Sequence, residues 1–209
     1  MEDENMIICK RGDRGAMVKR VQRLLHLMPD GIFGNLTEEA VKEVQRTNNL
    51  KADGVVGLRT WAVLLGFALL PKSSRVITEI IVHCTATKAG QDYTVDDIRR
   101  WHKQQGWSDI GYHYVVYRDG TIHKGRPVDM IGAHCSGHNT HSIGVVYIGG
   151  LGRDGIMPRD TRTVAQAEGL RRLIMELRRL YPNAAVFGHR DFAPKACPCF
   201  DARNEYKDL

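Results

Sequence analysis

The chain has 209 residues, 43% of them hydrophobic and 26% charged, proportions that exclude a disordered chain and fit one or two globular domains. A formal charge of +6 and a sequence pI of 9.1 favour an anionic partner, without choosing among nucleic acid, an acidic membrane surface and an anionic wall polymer. No segment reaches the ~20 apolar residues of a membrane span, and the five cysteines (Cys9, Cys84, Cys135, Cys197, Cys199) lack framework spacing, which argues against a disulfide scaffold and for synthesis in a reducing compartment.

The acidic start, Met1 to Asn5, is followed by no apolar run of signal-peptide length, so export by that route is not expected. Residues 1–70 carry one pattern twice: Asp30-Gly31-Ile32-Phe33-Gly34 with Thr37, and Asp53-Gly54-Val55-Val56-Gly57 with Thr60. Each Asp-Gly predicts a tight turn, and each Thr is expected to cap the next helix through its side-chain oxygen. Apolar residues at helical spacing (Val18, Val21, Leu24 and Leu25; Ala40, Val41 and Val44; Trp61, Leu64 and Leu65) predict three short helices around a small core. Together with Arg11 to Gly15, Val21 to Leu25 and Val44-Gln45, this pattern resembles the peptidoglycan-binding domain family. The resemblance implies wall binding by residues 1–70, marked by Asp30, Gly31, Asp53 and Gly54.

Residues 71–76, short, polar and opened by Pro71, read as a linker. Beyond it, Ile77 to His83 predicts a strand buried on both faces. Thr94 to Gln105 predicts a helix with capping-box spacing at Thr94 and Asp97 and a stop at Gly106. Tyr112 to Tyr117 and Thr121 to Lys124 flank Arg118-Asp119-Gly120 as a hairpin. Ser142 to Ile148 is a further strand, Thr163 to Tyr181 an amphipathic helix capped by Thr163 with Gln166, and Ala184 to Phe187 a last strand. The basic pairs Arg171-Arg172 and Arg178-Arg179 of the Thr163 to Tyr181 helix read as a solvated face. Strands interspersed with helices make residues 77–209 an α/β domain, a central mixed sheet flanked by helices and preceded by the small three-helix domain.

The segment from His189 to Pro198 brings an imidazole, a potential thiolate and the Lys195 ammonium into ten residues. His83 ends one strand and His189 follows another, so both can project from one edge of the sheet, and Cys197 arrives on the proline-containing loop beyond. Catalytic zinc takes three N, S or O ligands and leaves a fourth position to water, so His83, His189 and Cys197 make a complete set. Lys195 is left to stabilise negative charge. Strand alternation turns Cys84 away from His83 as a buried thiol. Two alternatives stay open: Cys199 as the sulfur ligand, and a lower-ranked second cluster, His134, His138 and His141, whose only thiolate or acidic neighbour is Cys135.

These residues belong to a longer series of motifs: Val82 to Thr87, Trp101-His102-Lys103 with Gly106-Trp107, Gly111 to Tyr114, Arg118 to Thr121, Gly132-Ala133-His134, Asn139 with Ser142-Ile143-Gly144, His189-Arg190-Asp191 and Pro194 to Pro198. Over about residues 77–201 the series resembles the type 2 zinc amidases that cleave peptidoglycan, the family of phage lysozyme-amidases and peptidoglycan recognition proteins. With the first segment it resembles a modular phage endolysin.

The resemblance implies one Zn2+ per chain on His83, His189 and Cys197, with Tyr112 and Lys195 as catalytic partners and His134 and Asn139 as substrate contacts. The implied reaction is hydrolysis of the amide between the muramic acid lactyl group and L-alanine in bacterial peptidoglycan. If residues 112–117 form one strand, only one of Tyr112 and His113 faces the metal. Family position selects Tyr112, either to orient water or to shuttle a proton, and leaves His113 to packing and His138 and His141 to the surface. A monomer is further implied, without a nucleic-acid partner or membrane span, held in the host cytoplasm until released to the wall. The competing reading is a non-catalytic recognition protein on the same fold, in whose members the cysteine ligand is typically lost. A third, regulation of a phage RNA polymerase, has no residue here that argues for it.

Overall fold

The computed structural model describes residues 9–48, 50–64 and 70–209, and the chain divides between Leu69 and Leu70 into two compact units. In the first, helices α1 (Ala16–Leu24), α2 (Asn35–Thr47) and α3 (Leu58–Leu64) enclose Val18, Val21 and Val41 together with Cys9, Phe33 and Val56. Trp61 and Leu64 pack against that core. Leu65 and the acidic start lie outside the described residues.

The two threonines do not cap. Gly34 precedes α2 with no side-chain cap bond, and Thr37 and Thr60 lie within α2 and α3 as hydrogen-bond acceptors for buried glutamines. Gln22 Nε2 donates to Asp30 Oδ1 (2.7 Å), to the Ile32 carbonyl (3.1 Å) and to Thr37 Oγ1 (3.1 Å), while its Oε1 accepts from Gly31 N–H at 2.9 Å. Gln45 repeats every contact: Asp53 Oδ1 (3.1 Å), the Val55 carbonyl (3.0 Å), Thr60 Oγ1 (3.0 Å), and Gly54 N–H at 2.9 Å. A buried primary amide needs partners for both its donors and its acceptor, and each Asp-Gly turn supplies them, with Gly31 and Gly54 at φ of 80° and 73°.

The second unit begins before its first strand. Ser73 N–H donates to Tyr181 Oη (2.6 Å) and Ser73 Oγ to the Val128 carbonyl (2.8 Å). The Arg75 guanidinium donates to the carbonyls of Val128, Asn139, Thr140 and Ser142. A segment that reads as a linker is therefore tied into this unit through partners distant in sequence.

The elements that follow are β1 (Glu79–Cys84), β2 (Thr87–Lys88), α4 (Val95–Gln104), β3 (Tyr114–Val116), β4 (Ile122–Lys124), β5 (Ser142–Tyr147), β6 (Gly150–Leu151), α5 (Val164–Leu180), β7 (Ala185–Gly188) and α6 (Ala202–Glu205). Five strands form one mixed sheet in the order β4-β3-β5-β1-β7. β1 runs parallel to both neighbours, β3 parallel to β5, and only the β3–β4 hairpin is antiparallel. Ile80, Val82, Tyr114, Val116, Ile143 and Val145 pack on Leu170, Leu173, Ile174 and Leu177 of α5. Val115 and Val146 face the other way, onto Val95 and Ile98 of α4. With layers on both sides, successive strand residues all find apolar neighbours, which explains the unbroken apolar runs.

Both predicted capping boxes form. Thr94 exchanges bonds with Asp97, and Thr163 with Gln166, each cap contributing about 1 kcal/mol. The two-residue pair β2–β6 carries no sequence signal. None of the described helices is long and apolar enough to cross a membrane.

Candidate metal centre

β1 lies between two parallel neighbours, so its end meets the ends of β5 and β7. Val82 pairs with Gly188, and one step further His83 of β1 meets His189, which opens a 3-10 turn after β7, with ring centroids 4.6 Å apart. The chain returns at Cys197, whose carbonyl accepts from Arg190 N–H at 2.7 Å, while the Tyr147 hydroxyl donates to the Pro198 carbonyl at 2.8 Å. Cys197 Sγ consequently sits 3.8 Å from His83 Nδ1 and accepts from Cys84 N–H at 3.3 Å. One donor atom from each of His83, His189 and Cys197 lies within 4.8 Å of the others.

His83 is held from behind. Its Nε2 is 3.1 Å from His134 Nδ1, and His134 Nε2 is 3.3 Å from Ser142 Oγ. If Nδ1 of His83 carries the lone pair that faces Cys197, then Nε2–H donates to His134, whose own Nε2–H donates to Ser142. This single proton arrangement satisfies all three groups. The His134 ring lies so close to β5 that a Cβ at Gly144 would come 2.4 Å from it, so that position must be glycine.

The two residues implied as substrate contacts are hydrogen-bonded within the protein. His134 is 7% exposed and spends its ring on His83. Asn139 Oδ1 accepts from the backbone N–H groups of His134 and Cys135, both at 2.9 Å. Both residues thus build the support beneath His83. His134 also parts company with His138 and His141, which turn to Glu79 instead.

The electrostatics favour ligand-ready donors. Burial holds His83 and His134 well below the ordinary histidine range, and burial followed by the Lys195 charge lowers His189. Hydrogen bonding with Cys84 lowers the Cys197 thiol, against the effect of burial, and pushes Cys84 up to about 12. The Cys199 thiol, 3.8 Å from Cys84 Sγ, is also raised, first by that neighbour and then by burial. Of the three clustered thiols, Cys197 is therefore the one that ionises most readily. Lys195 is exposed, yet its charge reaches His83, His189 and Cys197.

Tyr112 and His113 both lie on the His83 side. The Tyr112 ring is 5.1 Å from that of His83, and His113 is 5.7 Å from His134. Alternation does not separate them because β3 begins only at Tyr114. Just before it, Gly125 N–H bonds the His113 carbonyl and Arg126 N–H the Tyr112 carbonyl, consecutive donors on consecutive acceptors, which a regular antiparallel ladder does not contain. His113 is fully buried, accepts from Gly144 N–H at Nδ1 and donates from Nε2 to the Met130 carbonyl. Burial, then the thiols of Cys197 and Cys84, raises the Tyr112 phenol.

Asp30, Gly31, Asp53 and Gly54 form the two turns described above, their carboxylates and N–H groups engaged with Gln22 and Gln45.

A family model described as N-acetylmuramoyl-L-alanine amidase matches residues 73–200, and one described as "Putative peptidoglycan binding domain" matches residues 14–64. An endolysin of Klebsiella phage KP32 is 48% identical over 126 residues, 60% of this chain and 83% of that protein. The solved N-acetylmuramoyl-L-alanine amidase LysC from Clostridium intestinale URNW matches with a TM-score of 0.53 and 30% identity, covering 63% of this chain and 82% of its own. Drosophila PGRP-LB matches with a TM-score of 0.53 and 27% identity, covering 68% and 88%.

Proposed function

The chain belongs to the N-acetylmuramoyl-L-alanine amidase family and is an amidase that hydrolyses peptidoglycan; from that premise we propose that it works with one tightly held Zn2+ on His83, His189 and Cys197. The observation that carries this reading is the approach of those three donor atoms to within 4.8 Å. Two neutral imidazoles and one readily ionised thiol fit zinc chemically, and a thiolate beside nitrogen ligands disfavours calcium or magnesium. When bound, the ion supplies Lewis-acid polarisation of a carbonyl and activation of a water.

We assign the remaining steps to side chains. Lys195 stabilises the charge that develops on the substrate carbonyl oxygen, a role supported by its exposure and its electrostatic reach over the donor set. Tyr112 keeps its phenolic proton at neutral pH and so orients reacting groups as a hydrogen-bond donor rather than accepting a proton. His134 fixes the ring of His83, and Asn139 fixes the loop that carries His134. Residues 1–70 serve as a wall-binding domain, supported by the match over residues 14–64. The chain acts as a monomer, held in the host cytoplasm until released to the wall. Retention of Cys197 within the donor set supports catalysis over recognition alone.

The test is mass analysis of purified peptidoglycan digested by the full chain. Peptides with free L-alanine amino termini and no new reducing sugar ends are expected, and new reducing ends would overturn the reading. Cys197→Ser is expected to lose turnover and the tight zinc while still binding walls. Undiminished hydrolysis by that variant would overturn the ligand assignment.

A further inference from the structure

Glu79 opens β1 on the same strand face as His83, four residues earlier. Its register partner is Ser142, the first residue after the 3-10 turn Asn139–His141. This pairing sets the carboxylate between two imidazoles. Glu79 Oε2 is 2.9 Å from His138 Nδ1 and 3.3 Å from His141 Nε2, and one donor atom from each of the three lies within 4.8 Å of the others. Ligand atoms around a tetrahedral ion with bonds of about 2.0–2.1 Å stand about 3.3 Å apart, so the carboxylate oxygen and each imidazole are already close to coordination spacing.

The frame around them is fixed on several sides. Thr78 N–H bonds the His141 carbonyl (2.9 Å), and the Arg75 guanidinium bonds the carbonyls of Asn139 and Thr140. The His138 ring stacks on Phe192 at 3.8 Å between centroids. His141 Nδ1 sits 3.1 Å from Thr140 Oγ1, which lets that nitrogen keep the proton and leaves Nε2 its lone pair, the usual outer arrangement for a metal-binding histidine. With hydrogen bonds alone, both imidazoles must direct N–H groups at one carboxylate oxygen. An ion at that point engages three lone pairs instead. The side chains are 15%, 28% and 37% exposed for Glu79, His138 and His141, which gives water access to a fourth position.

We propose that Glu79, His138 and His141 form a second binding site for a divalent transition-metal ion of the zinc class, separate from the His83–His189–Cys197 set. Two nitrogens and one carboxylate oxygen suit Zn2+ and Co2+ better than the oxygen-seeking Ca2+ or Mg2+. The ion would fasten β1 to the loop that carries His134. This assignment does not depend on the reaction run at the first site.

The test is titration of the full chain with Co2+, whose bond to thiolate absorbs in the near ultraviolet whereas its bonds to imidazole and carboxylate do not. Wild type is expected to take up two ions per chain, the thiolate band saturating with one of them. His141→Ala should take up one and keep the band. Glu79→Gln, close to isosteric, should weaken the band-free ion by tenfold or more with the circular dichroism unchanged. Saturation of wild type at one ion per chain would overturn the proposal, as would a band-free ion that persists unweakened in both variants.

Discussion

Replacing His134 by leucine tests whether the support beneath His83 governs ion affinity. Leucine fills a similar volume and brings no polar atom, so no water is invited to replace the lost ring nitrogen. The substitution removes the 3.1 Å partner of His83 Nε2 and leaves that N–H unpaired on a ring only 1% exposed. An unpaired buried donor costs about 1–3 kcal/mol, and loss of an outer-shell partner typically weakens a metal site about 10–100-fold, equivalent to about 1.4–2.7 kcal/mol. The first figure lowers the stability of the fold with or without the ion, and the second sets the loss of affinity. Competition for Zn2+ against a chromophoric chelator near pH 7.5 should therefore show His134→Leu weaker by one to two orders of magnitude. Gly144→Ala should act in the same direction without touching any donor atom, since its Cβ would come 2.4 Å from the His134 ring and displace it. Affinity within about threefold of wild type in both variants would refute the idea that His134 orients the ligand.

Lys195→Ala should lower kcat by about 10²–10³-fold, the usual cost of losing a donor to a developing oxyanion, with zinc content unchanged; loss of zinc instead would make its role structural. His113, which burial holds down at about 4, takes up a proton in the unfolded chain first, because the unfolded pKa of about 6.5 is higher. Its contribution is intact above pH 6.5 and is lost as pH falls towards 4, worth about 3 kcal/mol in all. Urea unfolding of the zinc-free chain between pH 7 and pH 4.5 should show at least that loss, because His83, His134 and His189 are lowered in the same direction, and His113→Gln should reduce the pH dependence by the share of His113; equal pH dependence in the two proteins would contradict the assignment. Gln22→Leu and Gln45→Leu should each destabilise the first unit, by about 1–3 kcal/mol for the unpaired groups left behind, and by similar amounts because their contacts match one for one. Thermal unfolding of the two variants checks both the size and the equality.

Local chemistry with a strong signal was legible in the sequence. The capping boxes at Thr94 and Thr163, the apolar runs of β1 and β5 and the β3–β4 hairpin depend on neighbours a few residues away, and they form at the expected places. The three donors His83, His189 and Cys197 come together because two of them end adjacent parallel strands. What depended on distant partners was not legible. Thr37 and Thr60 have the composition of caps, and only the fold brings Gln22 and Gln45 to them. Ser73 and Arg75 look like linker residues until Tyr181 and Val128 arrive. His134 was singled out by its motif, but its burial beneath Gly144 is a property of strand packing. Glu79 carried no signal at all, since its partners lie 59 and 62 positions further along the chain.

Helix α2 is both the end of one lock and the beginning of the next: Thr37 near its start closes the contacts of Gln22, and Gln45 towards its end opens those that Thr60 closes. Every corresponding pair, Gln22 with Gln45, Asp30 with Asp53, Gly31 with Gly54 and Thr37 with Thr60, is offset by 23 positions. A chain built this way lengthens or shortens in whole links. Splicing in a complete 23-residue segment would keep each amide opposite its own turn and hydroxyl, whereas a segment of any other length would strand one glutamine without its keyhole. The first unit is therefore a short stretch of modular chain whose pitch is set by hydrogen-bond bookkeeping inside it, independent of whatever its outer face meets.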